Sequence, residues 1–432
     1  MLKRRISQIL LDWKKSKQNE CLLIKGARQI GKTYIIREFG RQHYENFIEI
    51  NFEQDKNMID VFDHNLDVNE LIAQISLRRS GVHFIPGETL IFFDEIQSCP
   101  NARTSLKFWA LDNRFDVIAS GSLLGINYKA VSSFPVGYER QIQMFSLDFE
   151  EFLWAKGIDE NAIRSLWTTF DREHFIDPNL NDVMMQYLRE YMVVGGMPEV
   201  VNTFLETHNY NDVHSVQMKI LDDYLNDIAK YAPASDRVKA RNCFLSLPSQ
   251  LAKENTKFQY GVVEHKGTSR KYGNAIDWLR DANIVNFCYN VSKPDFPLVA
   301  YRRIEQFRVY GSDIGLLIAM FGYEMKQAVV TDSLQGPAKG GIYENLVADI
   351  LSKKNYSLCY YLKEDSSVEI EFLIENDAAV VPIEVKAKNR ATASLNSILK
   401  KESIKKGIKL VTTCGGIEDK KVTMPLYLAM FL

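Results

Sequence analysis

Gly26-Ala27-Arg28-Gln29-Ile30-Gly31-Lys32-Thr33 follows the short apolar run Cys21-Leu22-Leu23-Ile24-Lys25 and leads into a segment of helical character from Thr33 to Phe39. Strand, glycine-bearing loop and helix, in that order, form the context in which backbone amides cradle a phosphate. Gly26 and Gly31 let the backbone curl so that successive N–H groups point inward. The helix that begins near Lys32 adds its positive N-terminal end. Lys32 is then set to reach the β- and γ-phosphates of a nucleoside triphosphate, and Thr33 to hold Mg²⁺. The expected cofactors are ATP and Mg²⁺, with residues 26–33 forming the nucleotide loop.

Thr89-Leu90-Ile91-Phe92-Phe93-Asp94-Glu95 reads as a buried parallel strand that delivers two acids to its C-terminal edge. Asp94 is expected to hold Mg²⁺, and Glu95 to orient or deprotonate an attacking water. Two further runs suit the same sheet: Phe47-Ile48-Glu49-Ile50-Asn51-Phe52, and Phe115-Asp116-Val117-Ile118-Ala119-Ser120-Gly121-Ser122. Ser120 and Ser122 are candidates to sense the γ-phosphate; a simple turn is the alternative. An extra strand between the loop strand and the Asp-Glu strand would suit the glutamate-using branch of such ATPases. Gln141-Ile142-Gln143-Met144-Phe145 is the expected fifth strand. Arg140 before it either pairs with the γ-phosphate, in cis or from a neighbouring subunit of a homo-oligomer, or is a surface arginine.

The chain has 432 residues, enough for two to four domains at roughly 100–200 residues each. Its net charge of −2 excludes a whole-molecule basic field, so any nucleic-acid surface must be local. The six cysteines are scattered with no CxxC pair, which argues against zinc and redox motifs and for free thiols in a reducing compartment. No run approaches the roughly 20 apolar residues of a membrane span, so the expectation is a cytoplasmic protein with no membrane partner.

The phrases Lys25 to Thr33, Phe92-Phe93-Asp94-Glu95-Ile96-Gln97, Ser120-Gly121-Ser122-Leu123-Leu124, Phe149-Glu150-Glu151-Phe152-Leu153 and Val194-Gly195-Gly196-Met197-Pro198-Glu199 together resemble the prokaryotic AAA-type ATPases that carry a C-terminal DUF4143-type domain. The resemblance implies an α/β protein: a three-layer α/β/α P-loop ATPase core over residues 1–155, a helical lid over 156–230, a winged-helix segment over 231–305 and a restriction-endonuclease-like α/β domain over 306–432. In that family a Gly-Arg pair usually precedes the fifth strand, whereas here the order is Gly137-Tyr138-Glu139-Arg140.

Within the middle region, Asp177-Pro178-Asn179 breaks a helical pattern and Gly195-Gly196-Met197-Pro198 reads as a turn. Helical spacing from Ser269 to Ala282, followed by the strand Ile284-Val285-Asn286-Phe287-Cys288-Tyr289, fits a winged helix. Lys266, Arg270 and Lys271 could meet a DNA backbone there; a packing or protein-binding unit is the alternative.

In the last third, Gly341 to Leu351 reads as a helix, and Glu369 to Ile374 and Val380 to Lys386 as strands. An acid on one strand and Glu-x-Lys on the next resemble the PD-(D/E)xK nuclease arrangement. Residues i and i+2 of a strand face one side, so Glu384 and Lys386 project together. Glu371 and Glu384 are expected to share Mg²⁺ with Glu344 from the helix, and Lys386 to activate water. The family usually has Asp where Glu371 stands. Lys386, Lys388, Arg390, Lys400, Lys401, Lys405, Lys406 and Lys409 suit a nucleic-acid backbone or, alternatively, a solvated face. The functional expectation is an ATPase coupled to binding or cleavage of nucleic acid. The alternative is a nucleotide-dependent switch that binds a protein partner.

Overall fold

The computed structural model describes residues 2–16, 19–122, 137–253, 257–386 and 392–432. Lys388 and Arg390 of the expected basic cluster, with Leu123 and Leu124, lie outside them. The chain forms two compact units, Lys3–Ser146 and Leu147–Leu432.

The first unit is a five-stranded sheet with helices between its strands. Its strands are β1 (Cys21–Gly26), β2 (Asn46–Asn51), β3 (Thr89–Asp94), β4 (Asp116–Ser122) and β5 (Glu139–Gln143). Their spatial order is β2-β3-β4-β1-β5, and every pairing is parallel. β4 is thus the extra strand between the loop strand and the Asp-Glu strand. The helices are α1 (Ile6–Ser16), α2 (Lys32–His43), α3 (Val68–Arg78) and α4 (Pro100–Asp112). Every residue of β3 is buried, which is why it reads as an unbroken apolar run: both faces are covered. On one face Phe93 packs among Phe52, Phe62 and Trp109 in edge-on and tilted ring contacts. That packing fixes the strand whose end carries Asp94.

The second unit combines helices with an eight-stranded mixed sheet. Its strands are β6 (Val285–Val291), β7 (Arg302–Gly311), β8 (Cys359–Leu362), β9 (Glu369–Asn376), β10 (Ala379–Val385), β11 (Gly407–Val411), β12 (Gly416–Glu418) and β13 (Lys421–Pro425). The order is β12-β13-β11-β10-β9-β8-β6-β7. The boundary expected at 305 runs through β7, and the strand expected in a separate winged-helix segment is β6. β6 pairs antiparallel with β7 and parallel with β8, so one sheet spans both expected domains. The reason is physical: β6 is largely buried and needs a strand on each side. Likewise, helix Phe149–Ala155, assigned to the ATPase core on sequence, belongs to the second unit.

The apparent break at Asp177-Pro178-Asn179 is the start of helix Pro178–Val194. The Asp177 carboxylate caps the amides of Asn179 and Leu180, with Pro178 in the first turn. That helix ends at Gly195, whose φ of 76° is left-handed. Gly196 donates to the Asp313 carboxylate at 2.9 Å, and its carbonyl accepts from the Leu147 amide at 2.7 Å. A Cβ on Gly196 would stand 2.0 Å from the Leu147 carbonyl, so the glycine pair is demanded by close backbone packing. Beneath it the buried Lys353 ammonium donates to the Leu147 carbonyl, the Tyr191 hydroxyl and the Asp349 carboxylate, at 3.0, 3.0 and 2.9 Å.

Candidate nucleotide site and C-terminal acid cluster

The parallel sheet of the first unit brings the loop after β1 and the acids after β3 to one edge. Gly31 stands at φ 91° and caps α2, while Gln29 also takes a left-handed conformation at φ 63°. Lys32, the first residue of α2, is 8% exposed. Its ammonium donates to the loop's own carbonyls, Gly26 at 3.1 Å and Ala27 at 2.7 Å. Burial pushes it down to about 8, against the pull of Glu95 and Asp94.

Asp94 is 2% exposed and held by neutral donors. Thr33 Oγ1 donates at 3.1 Å and Asn51 Nδ2 at 3.0 Å, both to Oδ2, and Ser120 Oγ donates to Oδ1. Glu95 follows at φ 53°, a left-handed backbone for a non-glycine residue. Burial raises its carboxyl above the usual range. The Gln97 amide opposes this, the Asp94 and Glu53 carboxylates add to it, and Lys32 opposes it.

Two expected roles change. Ser120 is fully buried and its hydroxyl is engaged by Asp94, so it acts on the acid and is not open to a phosphate. Arg140 lies opposite Leu22, near the start of β1, whereas the loop begins after Gly26. Four residues of strand put it about 13 Å from the loop. There it pairs with Glu20 at 3.6 Å, so it does not reach the loop of its own chain.

Three residues that sequence reading missed also shape the site. Asn51 is the C-terminal residue of β2 and pairs in register with Asp94; only the strand register could reveal it. Gln97 donates to Glu95. Arg4, 8% exposed, donates to the Ile30 carbonyl at 3.1 Å and to the Phe145 carbonyl at 2.7 Å. Nothing in its sequence context singles it out.

In the second unit β9 and β10 bring Glu371, Glu384 and Lys386 together. Lys386 Nζ lies 2.9 Å from Glu371 Oε1 and 3.1 Å from Glu384 Oε1. Burial alone would lower this ammonium, but the two carboxylates outweigh it and hold it well above its ordinary value. Burial also raises the Glu384 carboxyl, and Glu371 adds to the effect. The second oxygens of both glutamates are buried without a hydrogen-bond partner among the described residues.

The expected third ligand is engaged elsewhere. Glu344, on helix Pro337–Lys353, accepts from the Tyr310 hydroxyl at 3.0 Å and from Arg308 at 3.5 Å. Burial pushes Glu344 up to about 7 against the pull of Arg308. Arg308 is 2% exposed, also pairs with Glu369, and lies over the Tyr360 ring. Among the described residues no three acids, histidines or cysteines converge as a metal site requires. Glu371 and Glu384 thus share Lys386, while Glu344, near enough to Glu371 to feel its charge, is held by Arg308 and Tyr310.

The basic residues divide. Lys400, Lys401, Lys405 and Lys406 are exposed, but Lys409 is 5% exposed and belongs to the interior of β11. In the expected winged helix, Lys266, Arg270 and Lys271 are exposed, and Lys271 is tied to Glu264. No helix among the described residues is long and apolar enough to cross a membrane.

Comparison with known families gives three matches. Residues 18–153 match the family model described as an AAA domain, and residues 339–428 match a domain of unknown function, DUF4143. Residues 185–327 match a second domain of unknown function, DUF8612. No curated protein matches the chain. Among solved structures, the Walker-type ATPase PABY2304 of Pyrococcus abyssi is similar at 13% identity and a TM-score of 0.42, over 74% of this chain and 96% of that one. The Orc1 protein of Aeropyrum pernix in complex with DNA follows at 14% identity and a TM-score of 0.30, over 77% and 93%. AMPPCP-bound DnaA from Aquifex aeolicus is similar at 11% identity and a TM-score of 0.29, over 64% and 88%. The chain thus carries an AAA domain and a DUF4143 domain on an α/β fold.

Proposed function

We propose that the first unit binds and hydrolyses MgATP, and that the second unit is a binding module governed by nucleotide state and not a metal-dependent nuclease. The observation that carries the first half is the state of the charges around the loop. Among the described residues Lys32 makes hydrogen bonds only to backbone carbonyls, and the Asp94 carboxylate is held by three neutral side chains. A buried cation hydrogen-bonded only to carbonyls, beside a buried acid hydrogen-bonded only to neutral groups, keeps both charges able to meet ligands of opposite sign.

The amides of residues 26–33 and the N-terminal end of α2 surround the phosphates, and Lys32 turns from the loop carbonyls to the γ-phosphate. Thr33 and Asp94 offer the hard oxygens that Mg²⁺ takes, and the ion would neutralise charge on the phosphate oxygens. Glu95 accepts the proton of the attacking water, a role that suits a carboxylate whose proton affinity is raised by burial. Ser120 and Asn51 hold Asp94 in place, and Arg4 holds the loop at Ile30.

Support for the second half is the pairing of each C-terminal acid with a protein cation: Glu344 and Glu369 with Arg308, Glu371 and Glu384 with Lys386. The exposed lysines at 400, 401, 405 and 406 suit a nucleic-acid backbone contact without cleavage. In the test, wild-type protein turns over MgATP, and Glu95→Gln retains ATP while losing turnover. Incubation of the full chain with plasmid or single-stranded DNA and Mg²⁺ or Mn²⁺ gives no cleavage. Cleavage abolished by Glu384→Ala would overturn the second half.

A further inference from the structure

Glu95 leads into the short turn Ile96–Ser98, and Gln97 folds back so that its Nε2 donates to Glu95 Oε2. The other end of that amide, Oε1, is buried without a hydrogen-bond partner among the described residues. It lies against Gly121 in β4, where a Cβ would come within 2.6 Å of it.

Glycine at 121 has no conformational explanation. Gly121 is absent from the residues with positive φ, and it pairs with Lys25 of β1 in regular parallel register. Any residue could adopt that backbone. The one atom a Cβ there would approach within 3 Å is Gln97 Oε1, the next being Ile96 Cγ2 at 3.3 Å. The glycine therefore leaves space for one amide, and that amide holds one carboxylate. On the residue before Gly121, Ser120 holds Asp94. The end of β4 thus contacts both acids of β3, Asp94 directly and Glu95 through Gln97.

We infer that Gln97 is a positioning residue for Glu95 and that the bare Cα of Gly121 is its seat, so that the end of β4 sets where the carboxylate stands. The inference rests on the proposed role of Glu95. The hydrogen bond of Gln97 is to Glu95 and not to the phosphate loop, so its loss is expected to act on turnover and spare affinity.

The test is ATP turnover and ATP affinity measured on the full chain for wild type, Glu95→Gln, Gln97→Ala, Gly121→Ala and the Gln97→Ala/Gly121→Ala double variant. Gln97→Ala is expected to lower kcat roughly tenfold, with ATP affinity within about twofold of wild type. Gly121→Ala gives a similar loss, because its methyl displaces the amide. The double variant is no slower than Gln97→Ala alone, because the atom that the methyl would strike is gone. Retained ATP affinity shows in the same samples that the site is folded, and Gln97→Ala, which introduces no clash, decides the positioning role by itself. If Glu95→Gln turns over normally, the base assignment fails, and the inference with it. If Glu95→Gln is inactive but Gln97→Ala keeps wild-type kcat, or the two losses multiply in the double variant, Gln97 does not position Glu95.

Discussion

Two clusters of lysine and carboxylates stand at strand ends in this molecule, one around Lys32 and one around Lys386. They differ in what the lysine touches. Among the described residues Lys32 donates only to carbonyls, and burial pushes it down to about 8. Lys386 bridges Glu371 and Glu384 and is held well above its ordinary value. In the first cluster Asp94 is held by hydroxyls and an amide, so charge of each sign is free to meet a ligand. In the second, Arg308 and Lys386 between them meet Glu344, Glu369, Glu371 and Glu384. Similar residue types therefore lead to opposite expectations: in the open site the lysine is hydrogen-bonded to no carboxylate, and in the closed one it is already paired with two, each keeping one buried oxygen without a partner among the described residues.

The largest expected effect falls on the open cluster. Lys32→Ala removes the cation that meets the phosphates, and ATP affinity should fall by roughly a hundredfold or more. Equilibrium binding of a fluorescent ATP analogue measures it, and unchanged affinity would break the comparison. The closed cluster should respond in stability instead. Arg308→Ala leaves Glu344 and Glu369 without their buried partner and should cost about 3–5 kcal/mol of unfolding free energy. Denaturant unfolding checks this, with ATP turnover per folded molecule as control.

How much of this contrast was legible beforehand depends on the residue. The phosphate loop and the Asp94-Glu95 pair are local patterns on a strand–loop–helix and a buried strand, and the parallel sheet brings them to one edge. Asn51 and Ser120 act on Asp94 through the register of β2 and the burial of β4, neither of which is written in a local run. Arg140 reads as a γ-phosphate contact, in cis or in trans, or as a surface arginine, and parallel pairing puts it at the opposite end of β1 from the loop of its own chain. In the second unit, Glu384 and Lys386 follow from the period of a strand. Arg308 could not be read, because no local pattern ties it to Glu344, 36 residues further along the chain. The continuous sheet that crosses the expected boundary at 305 could not be read either: a buried strand looks alike whichever sheet it joins.

A third lysine sharpens the comparison with a smaller effect. Lys326 is wholly buried, its one hydrogen bond among the described residues is to Gln217, and burial pushes it down to about 7. It meets neither a carboxylate nor a phosphate loop. Unfolded, the same lysine keeps its proton up to about 10.5. Between those values the unfolded chain binds more protons, so stability rises with pH across the window. Lys326→Met should flatten that rise, as read from denaturant midpoints at pH 7, 8 and 9. A slope equal to that of wild type would show that Lys326 is charged in the folded protein.

The contrast between an open and a closed site is tested most directly by counting Mn²⁺ bound per chain in the presence of a non-hydrolysable ATP analogue. Electron paramagnetic resonance distinguishes bound from free ion. One Mn²⁺ site is expected, lost in Lys32→Ala and in Asp94→Asn and unchanged in Glu384→Ala. A second site that disappears with Glu384→Ala, or a single site that survives Asp94→Asn, would contradict it.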